Sequence, residues 1–174
     1  MEKSDKIPIG YIFRPTNSEI VCYFLKNKIL GQHLPADFIP TIDVYSKSPD
    51  QFPFCDFRHG RDNEWYFYTT RPNCKLATDD GYYSVSMEKN IFKDNRVVGF
   101  LRILTYYQGR PPKGRRTNWI IHEYRVNPDV IPVSELHNPI RAEVVFQMTN
   151  FVMCKVVLTE QRDSGFPVGG SGID

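Results

Sequence analysis

The run Pro111-Pro112-Lys113-Gly114-Arg115-Arg116-Thr117-Asn118-Trp119-Ile120-Ile121-His122-Glu123-Tyr124-Arg125 decides how this chain is read. Lysine and arginine set among proline and glycine are not buried without partners, so they project from a turn. The aromatic and aliphatic residues that follow suit a strand buried on both faces, which would hold the turn rigidly. A fixed cationic turn suits a polyanion, and nucleic acid is the commonest one. On charge alone, a solvated hairpin turn with no partner accounts for the run equally well.

The surrounding charge is segregated. The 174-residue chain carries a net charge of only +2. Between Lys89 and Arg125, nine lysines and arginines stand against two acids, Asp94 and Glu123, a balance of +7 that leaves −5 for the remainder. Such segregation is the footprint expected of a nucleic-acid face. This length, with 41% hydrophobic residues, supports one domain with a core of its own. Cys22, Cys55, Cys74 and Cys154 form no C-x-x-C pair and the histidines lack zinc spacing, so no metal site is expected. Unclustered thiols and a charged N-terminus without an apolar core fit a reducing, intracellular compartment. The apolar stretch 144–158 is interrupted by Gln147, Asn150 and Lys155 and is too short to span a bilayer.

Thr16-Asn17-Ser18-Glu19 reads as a capping box, and Ile20, Val21, Phe24, Leu25 and Ile29 follow at helical spacing up to Gly31. This predicts a helix over 17–30, with a further short turn at 34–38. Strand signals then dominate, at 42–45, 64–69, 82–87, 97–107, 118–126 and 150–159, with the turn 108–114 joining two of them as an antiparallel pair. Residues 127–138 read as loop, and 141–148 fits helix or strand. The expected class is α+β, a twisted antiparallel β-sheet packed between N-terminal helices and short helical segments. The expected organisation is a flexible N-terminus (1–8), a folded domain (9–158) and a flexible tail (159–174).

With these elements placed, the chain resembles the NAC domain, the DNA-binding module of a plant transcription-factor family, over roughly residues 9–157. Gly10-Tyr11-Ile12-Phe13-Arg14-Pro15-Thr16-Asn17-Ser18-Glu19-Ile20-Val21 stands where the family has G-F-R-F-x-P-T-D-E-E-L-V. Ile42-Asp43-Val44-Tyr45 matches I-D-L-Y, and Glu64-Trp65-Tyr66-Phe67-Tyr68 matches E-W-Y-F-F. The opening run, taken from Arg110 to Val126, matches K-x-P-K-G-x-x-T-N-W-x-M-H-E-Y-R-L nearly throughout, and Phe151-Val152-Met153-Cys154-Lys155-Val156 echoes W-V-x-C-R-V. The resemblance implies a dimer whose strand edge W-K-A-T-G-x-D-K enters the major groove while basic neighbours hold phosphates.

That edge is replaced here by Tyr83-Ser84-Val85-Ser86-Met87-Glu88-Lys89-Asn90. Ser84 takes the place of the groove-entering lysine, and Glu88 adds a carboxylate that repels phosphates. The family's loop R-D-R-K-Y-P-x-G shortens to Arg71-Pro72-Asn73-Cys74-Lys75. The implied DNA-binding set is Arg71, Lys75, Tyr83, Ser84, Lys89, Arg102, Arg110, Lys113, Arg115 and Arg116. The implied dimer interface is Gly10, Tyr11, Ile12, Arg14 and Glu19. Ile12 stands where the family has an arginine that pairs with the glutamate at the Glu19 position across the two-fold. Arg14 is the nearest substitute, and a heterodimer partner supplying the arginine would also satisfy Glu19.

Other features have plainer readings. Trp65 and Trp119 read as core aromatics, His122 as a sheet residue, Cys74 as an inert thiol and Asp79-Asp80 as a turn. Neither a nucleophile-base-acid set nor a phosphate-cradling glycine loop is present, so an enzyme is not expected. The expected function is a nuclear, sequence-specific transcription regulator whose partners are double-stranded DNA and a NAC-family homodimer or heterodimer partner. No cofactor, membrane or small-molecule substrate is expected. The alternative is an interaction module that pairs with NAC proteins and modulates them without reading bases itself. An end about sixteen residues past Leu158, where the family carries a long regulatory region, favours that alternative.

Overall fold

Thr16 opens the helical part of the chain by accepting a hydrogen bond from the Glu19 N–H at 3.2 Å, while its own hydroxyl donates to the Glu19 carboxylate at 3.0 Å. The computed structural model describes residues 8–34, 37–72, 76–131 and 138–160; Lys75, Cys74 and nearly all of the expected flexible ends lie outside them. From the cap, α1 (Asn17–Glu19) runs into a π-helical stretch, Ile20–Leu25, and then into α2 (Lys26–Ile29). Ile20, Val21 and Leu25 are fully buried, so the predicted apolar face is the one that packs. Gly31 ends the rod with φ +66°: its N–H bonds Lys28 O and the Gln32 N–H bonds Asn27 O, the paired bonds of a Schellman stop.

The strands are β1 (Glu64–Thr70), β2 (Gly81–Lys93), β3 (Arg96–Gln108), β4 (Arg115–Val126) and β5 (Phe151–Leu158). They form a single antiparallel sheet in the order β1-β5-β4-β3-β2, so the α+β class expected from the sequence holds. Two expectations change. Residues 42–45 do not form a strand: Thr41 makes a single bridge to Tyr68 and Val44–Ser46 is a 3-10 turn, because the prolines on either side leave too little chain to pair. The ambiguous stretch 141–148 is helical, within α3 (Asn138–Asn150), which packs against α2 and β4.

The helical rod covers one face of the sheet. Phe13 meets Tyr66 edge-on at 4.7 Å, Tyr68 OH donates to Phe24 O, and Tyr124 OH donates to Asn17 Oδ1 at 3.0 Å. Gly99 lets the rod approach, since a Cβ there would lie 2.7 Å from a Val21 methyl and 2.5 Å from Arg125 O. Short 3-10 turns between Val44 and Asp56 cover the other face, where Phe54 stacks on Trp119 at 5.4 Å and lies 4.2 Å from Trp65. Both tryptophans therefore pack as the sequence suggested.

The two sheet edges are treated differently. Along β1, Pro40 and Ile42 exchange backbone hydrogen bonds with Tyr68. Along β2, the outer side is bridged, among the described residues, only near its start, where Tyr83 N–H bonds Leu76 O. From Ser84 to Lys93, β2 has no strand on its outer side among the described residues.

Candidate nucleic-acid interface

The bare edge carries the segment that the resemblance places in the groove. Residues 85–90 are all exposed, and a bulge between Val85 and Met87 shifts the register against β3. Such a bulge twists an edge strand and re-aims its side chains. Val85 and Met87 are 39% and 52% exposed, so apolar groups as well as Lys89 project from this edge. Ser84, half-buried opposite Thr105, begins it. Tyr83, expected at the interface, is instead buried: it is 2% exposed and its hydroxyl donates to Val44 O and Lys47 O, so it anchors the 3-10 cover. Its ring meets Tyr45 at 5.3 Å and Tyr106 at 4.9 Å, and its burial pushes its pKa far up.

At one end of this edge lies the β3–β4 loop. Arg110, Lys113, Arg115 and Arg116 are all exposed. The two arginines sit at the start of β4, paired with Gln108 and Tyr107, so strand backbone fixes them and the turn is shorter than expected. Arg115 donates to the Gln108 side chain at 2.7 Å. Gly114 is required by contact: its N–H donates to Tyr82 OH at 3.2 Å, and a Cβ would lie 2.6 Å from the Tyr82 ring. Tyr82 in turn stacks on Tyr107 at 5.2 Å, which ties the cationic loop to the edge strand.

At the other end lies a second basic cluster, of different character. The register places Glu88, Arg102 and Glu123 opposite one another across three strands, and hence on one face. Glu123 is 2% exposed; its carboxylate takes Arg102 Nη2 at 3.0 Å, Arg71 Nε at 3.4 Å and the Tyr45 hydroxyl. Burial pulls the Arg102 pKa down, but the adjacent Glu123 outweighs it and leaves the guanidinium firmly charged. Arg71 and Arg102 are thus held by an internal carboxylate, whereas the loop cations make no ion pair among the described residues. Lys89, the next residue on β2, is exposed and projects to the opposite face, on the side of His122.

The ten expected DNA contacts therefore divide. Six steps along β3 separate Arg102 from Gln108, about 20 Å of strand, so the two basic clusters do not merge. Lys75 lies outside the described residues. Sequence reasoning missed Glu123, Arg125 and Tyr45 as members of this site. The available signal was the alternation of β4, where Ile121 and Glu123 share a face and an acid falls at an inward position.

The expected dimer residues are all on the surface. Gly10, Tyr11, Ile12, Arg14 and Glu19 are exposed, and Ile12 and Arg14 flank the buried Phe13, the alternation of extended chain that puts both on one side. Tyr11, Ile12 and Tyr23 are 45%, 53% and 42% exposed, so this surface is largely apolar. Glu19 already accepts the Thr16 hydroxyl within its own cap, so its carboxylate is not without a partner.

The remaining titratable groups serve the fold. Asp80 accepts from Tyr106 OH at 2.7 Å and Thr78 Oγ1 at 3.2 Å, which lowers its pKa and closes the turn before β2. His122 lies on the helix-covered face, where burial, with Lys155 and Lys89 nearby, pushes its pKa down to about 4. Among the described residues no set of three or more His, Cys, Asp or Glu side chains is arranged to hold a metal, and no helix is long and apolar enough to cross a membrane.

Comparison with known proteins accounts for this arrangement. The family model described as No apical meristem (NAM) protein matches residues 8–126, more than half of the chain. NAC domain-containing protein 54 of Oryza sativa subsp. japonica is 37% identical over 129 residues, covering 70% of this chain and 20% of that protein. NAC domain-containing protein 41 of Arabidopsis thaliana is 34% identical over 167 residues, covering 91% of this chain and 56% of that protein. NAC transcription factor 29 of Arabidopsis thaliana is 36% identical over 131 residues, covering 70% and 47%. The chain thus spans between a fifth and just over half the length of these relatives. Motif order, sheet and family match agree: the chain belongs to the NAC family.

Proposed function

We propose that this chain is a nuclear transcription regulator of the NAC type that docks on duplex DNA through the β2 edge, as a dimer formed across the Gly10–Glu19 surface. The observation that carries this reading is an uncovered edge strand flanked at both ends by basic clusters. A strand can enter a major groove about 12 Å wide, and clusters about 20 Å apart suit phosphates on its two walls. The loop cations position the protein, and the exposed edge from Ser84 to Asn90 is left to contact bases. With Ser84 in place of a lysine and Val85 and Met87 exposed, apolar contact with thymine methyls is the base chemistry this edge supports best.

Duplex affinity measured against salt tests this. About six phosphate contacts give a log–log slope near −5, and Lys113→Glu with Arg116→Glu should flatten it by about two and sharply weaken binding. Unchanged affinity in that double variant refutes the loop as a binding face. Selection from a random duplex pool separates base reading from backbone binding.

The exposed apolar Tyr11, Ile12 and Tyr23 favour a second reading, an interaction module that pairs with other NAC proteins. It predicts a hetero-complex by native mass spectrometry together with no DNA binding at low salt. Tight duplex binding by this chain alone counts against it.

A further inference from the structure

Between β2, β3 and β4, beside the end of β1, lies a cavity of about 180 Å³ lined by Arg71, Lys89, Arg102, Arg125, Glu88 and Glu123 among others. The Lys89 side chain projects to the opposite face, so three cations, Arg71, Arg102 and Arg125, stand against two carboxylates, a formal +1. Glu123, already counted in that balance, has its oxygens taken by Arg71, Arg102 and the Tyr45 hydroxyl. Glu88 stands opposite Arg102 in the register, yet among the described residues it makes no ion pair with it. Arg125 lies over the Phe100 ring at 4.5 Å, and burial followed by repulsion from Arg71 lowers its pKa. The buried Nε of Arg102 has no hydrogen-bond partner among the described residues. Like charges gathered in a recess around an unused buried donor are costly unless an anion joins them.

We propose that Arg71, Arg102 and Arg125 form a discrete pocket for one phosphate group. Three guanidiniums reach it from three different segments, a convergence that a tetrahedral oxyanion satisfies better than a planar carboxylate. A backbone phosphodiester, at about −1, balances the lining charge, and a phosphate monoester, at about −1.5 to −2, exceeds it. The phosphate has two sources, the duplex backbone or a free or terminal phosphate. Only the first rests on the DNA-docking reading above.

The test is calorimetric titration of the 174-residue chain with inorganic phosphate at constant ionic strength in chloride. Saturable one-site binding is expected, weakened about tenfold or more by Arg125→Gln and by Arg102→Lys. Arg102→Lys keeps the charge beside Glu123 but removes the Nε donor, so it reports the pocket even where Arg125→Gln folds poorly. Absence of binding, or equal binding by the wild type and the folded variants, overturns the proposal. Duplex anisotropy then separates the sources. Displacement of DNA by phosphate beyond that by chloride at equal ionic strength assigns the pocket to the backbone. Phosphate binding that leaves duplex affinity untouched assigns it to a free or terminal phosphate. Failure of the DNA reading shows instead as unchanged duplex affinity in the Lys113→Glu, Arg116→Glu variant, whose pocket is intact.

Discussion

Replacing Glu123 by glutamine keeps the shape and one carbonyl acceptor of the side chain but deletes its charge. The Glu123 side chain is 2% exposed and its carboxylate meets Arg102 at 3.0 Å and Arg71 at 3.4 Å, side chains that are 15% and 27% exposed. At an effective dielectric of about 20, each pair is worth roughly 4 kcal/mol before desolvation. Removing one partner of a fully buried pair costs about 3–5 kcal/mol, because a buried charge is left uncompensated. Both arginines keep some solvent access, so about 2–3 kcal/mol is expected for Glu123→Gln. With a urea m-value near 1.5–2 kcal/mol/M, the unfolding midpoint should fall by about 1–2 M. Buried charges are screened weakly, so the loss should persist at about 0.5 M salt. In a cycle with Arg102→Met, the double variant should lose about 1 kcal/mol or more less than the sum of the single losses. A midpoint change below about 0.3 M, or strict additivity, would refute the view that Glu123 anchors the two arginines.

Three further outcomes follow from the geometry. Gly99→Ala places a methyl 2.5 Å from Arg125 O and 2.7 Å from Val21, so it should cost about 2–3 kcal/mol, read as a lowered melting temperature. Tyr83→Phe removes the hydroxyl that bonds Val44 O and Lys47 O and should cost about 1–3 kcal/mol without altering the DNA affinity of folded protein; a loss of affinity would return Tyr83 to the interface. His122 stays neutral in the fold down to about pH 4, whereas the unfolded chain takes up its proton from about 6.5. The unfolded state therefore binds more protons in that window, and stability is full above pH 6.5 and declines as pH falls toward 4. The limit is about 3 kcal/mol, reduced to roughly 1–2 by residual solvent contact, and His122→Gln should flatten urea midpoints across the window.

Much of the fold was legible along the chain. The Thr16 cap, the apolar set from Ile20 to Leu25 and the Gly31 stop marked the first helix, because each acts within a few residues of its partner. The π-helical middle was not legible, since its backbone departs from α geometry without any residue that demands it. Exposure of Lys113, Arg115 and Arg116 followed from charge beside glycine and proline, and strand backbone then proved to fix both arginines. Tyr83 was misread because a tyrosine in an alternating strand can face either way, and the side follows from neighbouring strands and cover.

By itself, the sequence determined the class, the order of helix and strands, the cationic loop and the family motifs, all of which rest on local spacing and residue chemistry. Only the tertiary structure decided that β2 is the uncovered edge, that Tyr83 is an internal anchor, and that Arg71 and Arg102 converge on Glu123. Those facts depend on cross-strand register between segments 21 to 52 residues apart, where no local pattern states which side chains will meet.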